Sequence, residues 1–594
     1  MNWTQVINPL NNIALSALVA IVPIVFIFWA LIIKKMKGYQ ASLFAIVIAL
    51  FIAIVVYKMP VNLALLSTAN GAMYGLFPIC WIIITAVFLF NITVESGQFE
   101  IIKHFMASIT SDRRLQALLI AFSFGSFLEG TAGFGAPVAI TAAMLVGLGF
   151  NPLYAAGICL IANSAPVAFG SIGIPITVAS QVTSIPEMAI SQMVGRTLPI
   201  LSMMLPFYLV LLMSGYKRTM EVLPAILVSG ISFAVIQCLS SNYLGPALPD
   251  VLAGIGSIAS LILFLRRWKP KRIWRFANEP APTIDTEIKY STGQIVRAWS
   301  PFILLTVIII AWGMQPIKDL FTAKGQTQFE FPGLHNVIHD RTGKVLPHIF
   351  KLNYLSAAGT AILLSGLISV PLIGLRFRDA IRIFINTLKQ LKYPIITIAS
   401  VLGFAYLVND SGITITIAEA LAATGSLFPF FAPVLGWLGV FITGSDTSAN
   451  ALFGKLQAAT ATSIGVDPVV TVAANVSGGV VGKMISPQSI AVAAAAGHLV
   501  GKESELFRFT VKHSFIMLTF ICVIVLAQAY VVKSLIPRYH TLVANATATS
   551  HDFSKGYTYL IILVLVIVAL ALIIIIMTRK KTVTDNSIKP DLVK

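Results

Sequence analysis

Two acidic side chains stand in otherwise apolar stretches. Glu129 lies in GSFLEGTAGFGAPVAI, from Gly125, and Asp446 in GVFITGSDTSANALF, from Gly439. An unpaired charge at membrane depth costs about 2.5–3.5 kcal/mol even on insertion-based scales, so each acid needs a partner or a proton. Two readings stand for both: a carboxyl that carries a proton, or a carboxylate that ties broken backbone to nearby N–H groups. For Asp446 there is a third, an ion pair with Lys455 or Lys483. Lys483, in GKMISP, reads either as the ammonium that meets a substrate carboxylate or as compensation for Asp446. Around these charges, Gly130, Thr131, Asn163, Ser164, Ser445, Thr447, Asn475, Ser486 and Gln488 supply hydroxyls, amides and freed backbone N–H groups. Where half-helix N-termini meet, such groups favour an anion. The plainer reading is that they satisfy broken backbone or let helices pack closely.

The elements that hold these residues must be membrane helices. The chain has 594 residues, is 57% hydrophobic and only 11% charged, and contains many apolar runs of the ~20 residues that span a bilayer. The runs predict an all-α polytopic membrane protein with about thirteen crossings, from Ile13–Ile33 to Tyr559–Met577. The first run is too long for a signal peptide and has its lysines after it, so a retained helix is expected. Two longer apolar segments, Leu115–Phe150 and Phe431–Ala461, break at their centres in Gly, Ser, Thr, Asn and Pro and predict re-entrant hairpins. Each is followed by a crossing that looks broken, at ANSAPVAFGSIGIP from Ala162 and at ANVSGGVVGKMISPQS from Ala474. Irregular backbone at membrane depth is tolerated only where protein or a watery cavity satisfies it.

The pattern repeats. Pro78 aligns with Pro394, Ser96-Gly97 with Ser411-Gly412, Gly125 with Gly439, Asn151-Pro152 with Asp467-Pro468, and Ala162-Asn163 with Ala474-Asn475. With hairpins in place, the basic clusters at Lys34 to Lys37, Lys217/Arg218, Arg266 to Arg275, Arg376 to Arg382, Lys502/Arg508 and Arg579 to Lys581 all fall on one side. The positive-inside rule then puts the N-terminus outside and the C-terminus in the cytoplasm. The two repeats run in opposite senses, which suits alternating access about a midplane site. The expected organisation is 1–69, N-terminal helices; 70–215, first repeat (hairpin 115–150, broken helix 153–180); 216–385, connecting helices with a basic cytoplasmic loop 266–297 and an external loop 315–351; 386–535, second repeat (hairpin 431–461, broken helix 469–496); and 536–594, a last helix and tail.

Other classes fit less well. A net charge of +18 is explained by loop topology rather than nucleic acid. The four cysteines lie in apolar spans without metal-ligand spacing, and the eight histidines form no HExxH-type cluster, so neither metal nor cofactor is expected. SGGVVGKM lacks the first glycine of a phosphate loop and has Met484 where Ser or Thr would hold magnesium. No nucleophile with its base suggests an enzyme. A channel would not need coupled acids.

FLEGTAGFGAPVAI, LGWLGVFITGSDTSANALF from Leu435, GKMISPQSIAVAAAAGHLVGKESELFRFTVKHS from Gly482 and FEFPGLHN from Phe329 closely resemble the L-lactate permease family over nearly the whole chain. The resemblance implies a bacterial plasma-membrane, proton-coupled symporter for L-lactate and related 2-hydroxymonocarboxylates such as D-lactate and glycolate. It also implies kinship with a superfamily of inverted-repeat carriers, often homodimers, in which a sodium-coupled carboxylate carrier is the alternative. The family motifs fall on Glu129 to Gly135, Gly444 to Asn450 and Lys483 to Gln488.

Overall fold

The computed structural model describes most of residues 2–539; residues 277–289 and 540–594, and a few shorter stretches, lie outside the described residues. The expected crossing Tyr559–Met577 and the C-terminal basic cluster are therefore not among them. In chain order the membrane-length helices begin with α1 (Ile13–Leu31), α2 (Gly38–Val56) and α3 (Val61–Glu95). A surface helix α4 (Gln98–Ser108) leads to a first helical hairpin, whose inner leg ends in α5 (Gly125–Thr131) and whose outer leg is α6 (Ala136–Gly147). Then come α7 (Pro152–Ala162), α8 (Gly170–Thr183), α9 (Glu187–Met220), α10 (Leu223–Tyr243), α11 (Pro249–Arg267), α12 (Thr292–Gly313) and α13 (Ala358–Leu372). The second half holds α14 (Phe377–Asp410), α15 (Ile413–Ala422), a second hairpin of α16 (Phe428–Thr443) and α17 (Asp446–Ser463), then α18 (Pro468–Lys483), α19 (Pro487–Ala496) and α20 (Glu503–Tyr530). Eleven described helices are long and apolar enough to cross a membrane, or up to twelve if the bent pair α7/α8 is one span.

Local chemistry explains why the two halves look alike. Gly97 and Gly412 both sit at positive φ, 74° and 88°, ahead of α4 and α15, where a side chain would be strained. Asn151 and Asp467 cap α7 and α18 by accepting from the N–H two residues on, each followed by a proline at the first helical position. The halves meet where α3 crosses α14. A Cβ on Gly71 would lie 2.3 Å from the Leu402 carbonyl oxygen, so only glycine allows that approach.

The breaks are less symmetric than the sequence predicts. The first bends by 62° between α7 and the segment that ends in α8. The second, expected from Ala474, is helical through Lys483, and only Met484–Ser486 interrupt it. Gly478 and Gly482 do not break this helix. They let it press onto α16, where added Cβ atoms would lie 1.9 and 2.4 Å from the carbonyl oxygens of Pro433 and Trp437.

The N-terminal residues and the segment between α12 and α13 carry short strands. β1 (Trp3–Thr4) pairs in parallel with β3 (Ile338–His339), and β2 (Thr327–Glu330) pairs antiparallel with β4 (Ile349–Leu352).

Buried apolar side chains form two clusters. One gathers the first hairpin, α7, α9 to α11, α16 and α18 to α20. The other gathers α1 to α3, α13 to α15 and the middle of α17. The main cavity lies between these two bodies, with walls from both.

Candidate functional site

The first hairpin places Glu129 one turn before its tip, only 3% exposed. Its Oε1 accepts from Lys483 Nζ at 2.5 Å and its Oε2 accepts from Asn163 Nδ2 at 2.9 Å. Lys483 ends α18 and Asn163 ends α7, so this ion pair ties the first hairpin to the break in each half. Gly170 backs the pair: a Cβ there would lie 2.8 Å from Glu129 Oε1.

Asp446 opens α17 at the second hairpin tip and is equally buried, but no donor among the described residues reaches either of its carboxyl oxygens. Its Oδ1 occupies the space over Gly479, one turn before Lys483, whose ammonium is the opposite charge it feels. Lys455, the other partner the sequence offered, forms no ion pair with Asp446 among the described residues.

These groups border a cavity of about 550 Å³. Three helix N-termini reach it: Gly135 ahead of α6, Ser445 to Ser448 at the start of α17, and Pro487 to Ser489 at the start of α19. Partial positive charge from free N–H groups therefore converges beside the Lys483 ammonium, an arrangement that receives an anion. At its open end the cavity is lined by Lys37, Tyr39 and, from α14, Tyr393 and Thr397. Beside Pro175 of its wall, Asn450 Nδ2 donates to the Pro175 carbonyl oxygen, and Gln181 Nε2 of the same helix as Pro175 donates to Tyr406 Oη of α14.

Of the sequence candidates, Glu129, Asp446, Lys483, Ser445, Thr447 and Gln488 line the cavity. The others are placed around it. Gly130 packs on Asp250, and Thr131 Oγ1 returns to the Phe127 and Leu128 carbonyl oxygens of its own helix. Asn163 orients Glu129, whereas Ser164 Oγ donates to the Ile161 carbonyl oxygen. Asn475 bonds Asn450 and Gln457 and so knits α17 to α18. Ser486 caps α19 by accepting from the Ser489 N–H.

The sequence reading missed Asp250, a third buried acid, at the start of α11. Its Oδ1 accepts from Gln237 Nε2 at 3.3 Å, its Oδ2 has no donor among the described residues, and its side chain lies against Gly130. It also missed Ser171 and Ser489 in the cavity wall.

A multi-pass helical membrane protein with a buried ion pair and converging helix N-termini at an internal cavity has the build of a permease. A family model for L-lactate permease matches residues 16–532. The chain is 57% identical to the L-lactate permease of Bacillus subtilis over 90% of this chain and 100% of that one. It is 52% identical to the glycolate permease GlcA of Escherichia coli K12, over 89% and 99%, and 52% identical to the L-lactate permease of that strain, over 90% and 100%. Two solved membrane proteins, MtrF of Neisseria gonorrhoeae and YdaH of Alcanivorax borkumensis, align over 83% and 79% of this chain at 15% and 13% identity with TM-scores of 0.43 and 0.44. The chain belongs to the L-lactate permease family.

Proposed function

We propose that this permease is a proton-coupled symporter that takes up L-lactate, D-lactate and glycolate across the bacterial plasma membrane by alternating access. The observation that carries the reading is the Lys483–Glu129 ion pair at a cavity fed by three helix N-termini. A small carboxylate entering this cavity is drawn to the Lys483 ammonium and competes with Glu129 for it. Separating a buried pair without compensation costs about 3–5 kcal/mol, so Glu129 takes a proton as the substrate takes the lysine. The proton also offsets the membrane potential, which opposes entry of an anion by about 2.3 kcal/mol per 100 mV. Asp446, beside the same ammonium, is the second group able to hold a proton.

The open end of the cavity carries Lys37, one of the basic residues that positive-inside topology assigns to the cytoplasm. In this orientation, with the N-terminus outside and the C-terminus in the cytoplasm, the cavity faces inward. Sliding of the hairpin-bearing body against the α1–α3 and α13–α14 body would expose it to the other side.

Uptake of labelled L-lactate into proteoliposomes under an inward-acid pH gradient, with and without sodium, tests this. Sodium-independent accumulation in wild type, lost in Glu129→Gln while lactate exchange persists, is expected. Accumulation that requires sodium, or that survives in Glu129→Gln, contradicts the mechanism.

A further inference from the structure

Asp250 is a buried acid that the exchange at Lys483 leaves unused. It stands in the first turn of α11 and is 1% exposed. α11 lies antiparallel on the inner leg of the first hairpin. A Cβ on Gly254 would lie 2.7 Å from the Phe127 nitrogen, and one on Gly130 would lie 2.9 Å from Asp250 Cβ. Glycine at both contacts lets the acid reach the residue next to Glu129.

The hydrogen bonds of Asp250 are one-sided. Gln237 Oε1 accepts from Ser202 Oγ at 2.9 Å, which turns the amide nitrogen toward Asp250 Oδ1, at 3.3 Å, and the Ala165 carbonyl oxygen, at 3.1 Å. Asp250 Oδ2 has no partner among the described residues. An unpaired carboxylate at this depth is costly, so the free oxygen holds a proton. The charges that reach Asp250 are those of Glu129 and Lys483. Besides α5, the elements packed most closely on α11 are the hairpin's inner leg, Ala117–Phe124, and α10. The inner leg carries no ionisable residue; on α10, Cys238 meets the Asn242 amide and Tyr243 is exposed. The carboxylate positioned to take a proton from Asp250 is therefore Glu129.

The two acids also face different ways. Glu129 borders the main cavity, and Asp250 is not among its lining residues. Asp250 follows closely on the exposed Tyr243, at the opposite end of α11 from Arg266 and Arg267. In the orientation given above those arginines mark the cytoplasm, so Asp250 is approached from outside while Glu129 opens inward.

We propose that Asp250 is a relay residue that supplies the coupling proton to Glu129 from the outer side. As lactate takes Lys483, the Asp250 Oδ2–H bond breaks and an O–H bond forms on Glu129. The Asp250 carboxylate is refilled by a proton from outer water, and Glu129 releases its own into the cavity once lactate has left. The inference rests on the symport reading above.

The test is exchange of labelled L-lactate by the full chain in proteoliposomes with equal pH on both sides, stepped from about pH 6 to about pH 8. In wild type the proton passes back and forth between the two acids, so the rate should change less than about threefold over this range. Asp250→Asn must draw each proton from water, so its rate should fall about tenfold for each unit that pH rises. Asp250→Ser, a second side chain without a carboxyl, should behave alike. Adding Glu129→Gln to Asp250→Asn removes the need for a proton and should make the rate flat again, a rescue that a structural role would not give. Single variants whose rates are low but flat with pH, a double variant that stays pH-dependent, or failure of both Asp250 variants to fold would overturn the relay. Failure of the symport reading itself shows separately, as proton-driven accumulation that survives in Glu129→Gln alone.

Discussion

Removing Lys483 and removing Glu129 should have unequal consequences, because the two partners have different neighbours. In Lys483→Met, Glu129 keeps only the Asn163 amide as a hydrogen-bond donor and stays buried beside two further acids, Asp446 and Asp250. Leaving one member of a buried pair costs about 3–5 kcal/mol. Protonation caps the loss: giving a proton to an ordinary glutamate at pH 7 costs about 3.7 kcal/mol. The folded variant then holds one more proton than its unfolded chain, so its deficit shrinks by about 1.4 kcal/mol for each unit that pH falls, down to about pH 5. In Glu129→Gln, Lys483 still has Asp446 one turn away, so the loss should be smaller and nearly flat with pH. The double variant should recover much of the Lys483→Met deficit, a coupling of about 0.5–3 kcal/mol for residues in contact. Apparent melting temperatures of detergent-purified protein between about pH 5 and pH 8 read all three effects. A Lys483→Met variant no less stable than Glu129→Gln, or one whose deficit ignores pH, would refute the reasoning.

Two further outcomes follow from single contacts. Gly170→Ala places a methyl 2.8 Å from Glu129 Oε1 at a backbone conformation, φ −61° and ψ 155°, that any residue adopts, so its effect is steric. Overpacking of this kind costs about 1–3 kcal/mol and loosens Glu129 from Lys483; lactate exchange should show a lower KM while proton-driven accumulation slows, and two unchanged values would contradict this. In the loop between α12 and α13, burial disfavours the His348 imidazolium, but Asp410 at 3.1 Å and the Leu346 carbonyl outweigh it and raise its pKa. Its contribution to stability is therefore full below the ordinary histidine value of about 6.5 and is lost as pH rises through the higher folded value. The melting-temperature gap between wild type and His348→Gln should accordingly be widest in acid and close in alkali.

Much of this site was legible because membrane depth makes some residues conspicuous. Glu129, Asp446 and Lys483 are charges within apolar runs, and the structure gathers all three at one cavity. Asp250 was not legible, since it sits at the start of a connecting helix and meets the site only where α11 packs on Gly130. Glycine was the ambiguous letter. At Gly135 and Gly444 it marks a turn at positive φ, whereas at Gly478 and Gly482 it marks helix contact, and composition alone does not separate the two uses. Small polar residues divide similarly. Ser445 and Gln488 face the cavity, while Asn475 and Ser486 are consumed by neighbouring chain. The short strands at the N-terminus and between α12 and α13 escaped notice because they are two to four residues long and depend on partners distant in sequence.

The central claim is an exchange at one lysine: substrate takes Lys483, and Glu129 takes a proton. It is tested most directly by adding L-lactate to purified protein in weakly buffered detergent solution and following pH with an indicator dye. The account predicts uptake of about one proton per lactate bound near neutral pH in wild type, and none in Glu129→Gln, which still binds lactate. Lactate binding without proton uptake in wild type, or the same uptake in Glu129→Gln, would contradict it.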